Sequence, residues 1–249
     1  MKKYTVLILG LLLSSCFLQH TAFAENAIRL ASLEWEPYIG TKLKDQGYAA
    51  ILTREAFKAS GYSVEISFMP WARVVAMARE GKYDGYLPEY SAESLKADFL
   101  VSDPFPGGPL VLFKRKSDSI TFTSLADLKP YKIGVVRDYV NTEEFDKALF
   151  LQKEVANNDT TNLRKLMGKR IDLVVMDKFV GIYLMKRDFP DHFEEIDILK
   201  SVLEEKSLHL CISKKSPGAE DKMKAFNEGL KIIKDNGMVE TLLKENGFI

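Results

Sequence analysis

Arg170-Ile171-Asp172-Leu173-Val174-Val175-Met176-Asp177-Lys178 sets a short apolar run between two aspartates. A continuous apolar run of this length, with two valines at its centre, is strongly strand-like. The residues after it, through Arg187, read as a helix. Asp177 then ends a strand and opens a helix, where aspartate is a favoured N-cap. In open α/β sheets ligands sit outside the carboxyl ends of strands. Asp177 is therefore both a cap and the first candidate for ligand contact.

Working outward, strand and helix signals alternate along the chain, which predicts α/β architecture. Ile28 to Leu33 reads as a first strand, and Ala49, Leu52, Ala56 and Ala59 recur at helical spacing before Gly61. Strands over Ser63–Phe68, Tyr83–Leu87 and Pro109–Phe113 follow, with a helical stripe at Trp71, Val74, Val75 and Ala78. A second half repeats the pattern. Lys132–Val136, Gln152–Val155, Asp172–Met176 and Ser207–Ser213 are its strands; Thr142–Leu149, opened by Asn141 and Glu144, and Thr160–Met167 are helices. Ser216-Pro217 reads as the start of a long helix through Lys234. Two polar segments, Lys114–Asp118 and Ser213–Ser216, follow apolar strands at similar places and suggest two crossings between halves.

The first residues fix a compartment. Lys2 and Lys3, the apolar run Tyr4–Leu13 and the triplet Ala22-Phe23-Ala24 form a secretory signal with cleavage after Ala24. The run is too short for a membrane span, which needs ~20 apolar residues. Leu13-Ser14-Ser15-Cys16 resembles a lipobox, so a lipid anchor on Cys16 stays open beside the cleaved form. Either way the folded part is expected outside the inner membrane, in the periplasm.

Composition excludes several functions. The 35 Lys+Arg and 35 Asp+Glu residues cancel, which gives no electrostatic case for nucleic acid. After the signal, Cys211 is the one cysteine; its apolar neighbours Leu210 and Ile212 make it a buried thiol with no disulfide partner. Nucleophile-elbow, P-loop, dinucleotide and metal-binding patterns are absent, and His192 and His209 are too few for a zinc cage. No cofactor is expected.

Seven landmarks in order carry a resemblance. They are Trp35-Glu36-Pro37-Tyr38, Gly81-Lys82-Tyr83-Asp84-Gly85, Val101-Ser102-Asp103-Pro104-Phe105, Leu125-Ala126-Asp127-Leu128-Lys129, Arg170-Ile171-Asp172-Leu173-Val174, Pro217-Gly218, and Phe226-Asn227-Glu228-Gly229-Leu230. From about Ile28 to Gly247 the chain resembles bacterial periplasmic solute-binding proteins of family 3, the amino-acid receptors of ABC transporters. The resemblance implies a two-lobed type II periplasmic-binding-protein fold, each lobe a sheet flanked by helices. Residues 25–113 plus 210–249 would form lobe 1 and residues 114–209 lobe 2. It also implies a monomer that captures an amino acid or related amine, without enzymatic activity, and passes it to a membrane permease.

The family's ammonium-binding aspartate matches Asp177, and its ring-stacking positions match Trp35 and Trp71, with Tyr38 beside them. The family's carboxylate-binding arginine has no match. Counting from Ser91 puts Lys96 there, counting back from Ser102 puts Leu95 there, and Arg73 in Trp71-Ala72-Arg73 is a replacement. Lysine offers a point charge, not a bidentate fork. The loop Pro88-Glu89-Tyr90-Ser91 has an acidic member, and Asp138 stands where a carboxylate would meet backbone amides. Glu89, Asp138 and Asp177 together favour a cationic ligand. The expected ligand-binding set is thus Trp35, Tyr38, Trp71, Arg73, Glu89, Ser91, Lys96 and Asp177. The alternative is a cyclohexadienyl-type dehydratase on the same scaffold, with Glu34, Glu36 or Glu89 as its carboxylate.

Overall fold

In the computed structural model residues 27–249 are described. The signal segment, Cys16 and the Ala24 site lie outside them. The strands are β1 (Ala27–Ser32), β2 (Ser63–Phe68), β3 (Gly85–Glu89), β4 (Phe99–Val101), β5 (Phe105–Arg115), β6 (Lys132–Val136), β7 (Gln152–Ala156), β8 (Leu173–Asp177), β9 (Ile196–Ile198) and β10 (Glu204–Ser213). The α-helices are α1 (Tyr48–Ala59), α2 (Trp71–Arg79), α3 (Glu143–Lys147), α4 (Asp159–Met167), α5 (Lys178–Asp188), α6 (Ala219–Asp235) and α7 (Met238–Glu245).

Strand order is β2-β1-β3-β10-β5-β8-β6-β7, with β4 beside β10 and β9 beside β5. β1 pairs in parallel with β2 and β3; in the other half β6 pairs in parallel with β7 and β8. Each parallel set is covered by helices, and its side chains are buried: Ile28, Leu30, Leu52, Phe57 and Phe226 in one half, Ile133, Phe145, Leu163, Leu173 and Val180 in the other. This is a two-lobed α/β fold.

Two strands belong to both lobes. β10 pairs through Glu204–Leu208 with β5, then through His209–Ser213 with β3 and β4. β5 pairs through Phe105–Leu110 with β10, then through Leu110–Lys114 with β8. The strands therefore change partners near Leu110 and between Leu208 and His209. The polar segments Lys114–Asp118 and Ser213–Ser216 lie beyond those exchanges.

β5 begins four residues before the expected Pro109. Pro106, Gly107, Gly108 and Pro109 read as a turn in sequence but run extended here, held by β10 across an irregular register. Helix α3 is shorter than expected. Its cap is Thr142, whose Oγ1 accepts from the Phe145 amide at 3.0 Å, while Asn141 donates to Asp146. Helix α4 starts one residue early because Asn158 caps it. Cys211 is buried and free, and the His209 ring lies 2.7 Å from the Ser102 carbonyl, as a packed strand residue.

Helices α1 and α6 meet backbone to backbone at Gly229. A Cβ there would stand 1.8 Å from the Ala56 carbonyl oxygen. Gly229→Ala should therefore destabilise the fold by about 1–3 kcal/mol through overpacking. Urea unfolding checks this; an unchanged midpoint would contradict the close approach.

Candidate ligand-binding cleft

The turn after β1 doubles back tightly. The Trp35 amide donates to the Ile39 carbonyl at 2.9 Å, around a cis Glu36–Pro37 peptide. That turn stacks Trp35 on Tyr38 with centroids 4.9 Å apart. Trp71 opens α2 behind Pro70, and its buried indole faces Tyr139 edge-on at 5.7 Å. Tyr139 comes from the other lobe, after β6.

Between the lobes lies a cleft of about 470 Å³. Leu33, Glu34, Trp35, Glu36, Phe68 and Trp71 line it from one side; Tyr139, Asn157, Asn158, Asp159, Val180 and Arg187 line it from the other. The β-strands of both lobes end here, and so do the N-termini of α2, α4 and α5.

Side chains bridge the lobes at three places. The Trp71 indole donates to the Asp138 carbonyl at 2.9 Å. Arg187 pairs with the buried Glu36 at 3.0 Å. Asp177 is the third bridge and the most fully bonded. Its Oδ1 accepts from the Phe179 and Val180 amides at 2.8 and 3.1 Å, capping α5. Its Oδ2 accepts from the hydroxyls of Tyr38 and Tyr90, both at 3.1 Å and both from the first lobe. Gly108 makes this possible: a Cβ there would stand 2.4 Å from the Tyr38 hydroxyl.

Besides Glu36, which Arg187 holds, three carboxyls are buried around the cleft. Burial pushes Asp177 up to about 6, while the Val180 amide and the two tyrosines draw it back. Burial pushes Asp159 up to about 7; the Tyr139 hydroxyl, 3.0 Å away, opposes this and the Asp177 charge adds to it. Glu89 is pushed up to about 8 by burial, despite bonds from the Tyr90 amide and the Tyr86 hydroxyl.

The expected residues separate into two sets. Trp35 and Trp71 line the cleft, and Tyr38 and Asp177 sit beneath it, bonded to each other. Glu89 lies behind the Trp35–Trp71 wall, on a second void of about 20 Å³. Arg73, Ser91 and Lys96 are not brought to the cleft. Arg73 is exposed on α2, off the buried stripe of Trp71, Val74, Val75 and Ala78. Lys96 sits on a 3-10 turn with its Nζ 2.7 Å from Glu93, facing water. Ser91 is exposed, and so is Asp138, whose contribution is its backbone carbonyl. Tyr139, Asp159 and Arg187 line the cleft and Tyr90 reaches Asp177 beneath it, and none of the four is in the expected set. Asn158-Asp159 did carry a signal, an N-cap followed by an acidic first turn.

A cleft between two α/β lobes, joined by two shared strands and bridged by side chains, defines a two-lobed binding protein of the type II periplasmic kind. The chain belongs to the bacterial extracellular solute-binding proteins, family 3, whose sequence model matches residues 30–247. Solved structures agree on the fold. ArgBP from T. maritima, in a mutant form, is 17% identical, with a TM-score of 0.74 over 90% of this chain and 96% of that one. An ancestral arginine-binding protein bound to arginine is 22% identical, with a TM-score of 0.73 over 88% and 97%. A histidine kinase sensor domain with similarity to periplasmic binding proteins is 18% identical, with a TM-score of 0.76 over 88% and 95%. No match was found among curated proteins.

The raised carboxyls set the pH response. Asp159, Asp177 and Glu89 hold protons more tightly folded than unfolded. Their contribution to stability is full below about pH 4 and is lost as pH rises through about 6 to 8. The urea midpoint should accordingly fall between about pH 5 and about pH 8, and Asp159→Asn should flatten the slope. A midpoint that climbs over this range would contradict the burial of these groups.

Proposed function

We propose that this chain is an exported receptor that captures an amino acid or related amine between its lobes and delivers it to an ABC permease. The observation that carries this reading is the cleft itself. It is walled by aromatic rings from both lobes, and it holds the buried carboxyl Asp159 on its wall with Asp177 beneath, while the third, Glu89, lies behind the wall within the field of the buried Lys206. Of the two cations that line the cleft, Arg187 is engaged by Glu36 and Asp188, and Lys42 is exposed at the rim.

Capture would proceed by lobe closure. The ligand meets one lobe, the paired segments Phe105–Leu110 and Glu204–Leu208 flex, and the bridges at Trp71, Arg187 and Asp177 form as the cleft shuts. The lobes would be residues 25–113 with 210–249, and 114–209, with the exchange falling within β5 and β10. Among the described residues no helix is long and apolar enough to cross a membrane. The receptor would act as a monomer in the periplasm, free after cleavage at Ala24 or held through a lipid on Cys16. Among the described residues no group of three or more His, Cys, Asp and Glu side chains could hold a metal ion, and the reading needs none.

The relatives supply the ligand class to try first, since two of the similar structures carry arginine-binding proteins in their names. A thermal-shift screen of the chain purified after export, over amino acids, amines and small organic acids, tests the reading. A ligand at ~100 times its Kd should add ~2.7 kcal/mol of stability, several degrees for a protein of this size. A shift with an amine-bearing class supports the receptor. A shift with a cyclic acid alone, followed by its consumption, would replace the receptor with a dehydratase.

A further inference from the structure

Helix α5 is held by the first lobe at both of its ends, and one short turn supplies both grips. Asp177, Val180, Leu184 and Arg187 follow one another at helical spacing, so they share one face of α5. Val180, Leu184 and Arg187 line the cleft along that face. The opposing turn is Trp35–Ile39, which follows β1. Its Tyr38 hydroxyl donates to Asp177 at the N-terminus of α5, at 3.1 Å. Its Glu36 carboxylate takes Arg187 in the last turn of α5, at 3.0 Å. The two grips stand about 15 Å apart along the helix axis.

Both gripping side chains are fixed by their own lobe. Trp35 and Phe248 stack on Tyr38, each with its centroid 4.9 Å away. The Tyr38 carbonyl accepts from the Ala49 amide at 2.9 Å, which ties the turn to α1. Glu36 is 4% exposed and lies against Gly40, where a Cβ would stand 2.7 Å from its Cγ. A carboxylate placed in this way loses little side-chain freedom on bonding, and burial strengthens a charge-assisted bond. Arg187 is equally committed. Its Nε and Nη2 donate to Asp188 at 2.7 and 2.9 Å, while Nη1 reaches Glu36. Asp188 lies in turn within the field of Lys42. Charges therefore alternate across the mouth of the cleft, Glu36 and Lys42 from one lobe, Arg187 and Asp188 from the other.

We propose that Glu36 and Tyr38 form a clasp on α5 that shuts the lobes by the protein's own contacts, so that a closed population exists before any ligand arrives. The inference goes beyond the receptor reading, since it holds whatever the cleft takes up.

Spin-label distance measurement tests it, with labels on Lys44→Cys and Asn157→Cys, exposed sites on opposite lobes. Cys211 is buried and stays in place. The full chain purified after export is unfolded in urea and refolded by dialysis, which strips any co-purified small molecule. The labelled parent should show a short-distance population with no ligand added. Glu36→Gln and Arg187→Gln should each raise the long-to-short ratio by about 10- to 100-fold, the value of one charge-assisted bond. Combining the two should add little to either alone, because they break the same pair. Tyr38→Phe should raise the ratio by less, under about tenfold. Arg187→Lys, which keeps the charge, should retain more of the short population than Arg187→Gln. Arg79→Gln breaks an exposed pair with Asp98 inside the first lobe and should change nothing. Circular dichroism checks that each variant is folded, and Glu36→Ala serves if Glu36→Gln is not. A parent with the long distance alone, clasp variants that keep the parent's distribution, or an Arg79→Gln that lengthens it as much, overturns the clasp and leaves the receptor reading standing. A ligand screen without a hit sinks the receptor and leaves the clasp.

Discussion

Two antiparallel strands, β5 and β10, run through both lobes, and every other element hangs from them. Their mutual pairing through Phe105–Leu110 and Glu204–Leu208 fixes where one sheet stops and the next begins. It brings the carboxyl ends of β1 and β3 to face those of β6 and β8. The cleft follows from that opposition. So does the bridge at Asp177, whose own backbone pairs with Leu110 at the point of exchange. Without this shared pair, Tyr38, Tyr90 and Asp177 would belong to separate surfaces.

Three of the buried carboxyls around the cleft take their hydrogen bonds from neutral donors. Tyr38, Tyr86, Tyr90 and Tyr139 supply hydroxyls to Asp177, Glu89 and Asp159. Neutral donors stabilise a buried carboxylate less than an opposite charge does, so these groups remain shifted toward the protonated form. A site arranged in this way keeps part of its electrostatic capacity free for an incoming positive group. Arg187 on the cleft wall is held by Glu36 and Asp188.

Much of this architecture was legible in the sequence. The strands Ser63–Phe68 and Lys132–Val136 match the reading residue for residue, because apolar runs bounded by turn residues leave little latitude. The role of Asp177 as a helix cap was also readable, from the switch of periodicity after Met176. The start of β5 was not, because Pro106 to Pro109 carries every local sign of a turn and is held extended only by a strand nearly a hundred residues away. Lys96 and Arg73 looked suitable by spacing, but spacing does not say which side of a turn or helix faces a cleft. Asp159 and Tyr139 come from successive loops that parallel pairing of β6, β7 and β8 places side by side.

The composition of the crossing strand bears on how the lobes move relative to one another. Pro106 and Pro109 have no amide hydrogen to give to the ladder, and the register slips between Glu205 and Ser207. Gly107 and Gly108 lie between the two prolines and offer no side chain to stiffen them. The joint thus lacks the ladder donors that two prolines cannot supply, although it lies at the middle of the molecule. Since both connecting strands are tied to each other there, the two lobes share one compliant axle. Under the proposed closure, shutting them around a guest would deform that axle while the parallel sheets on either side travel as blocks.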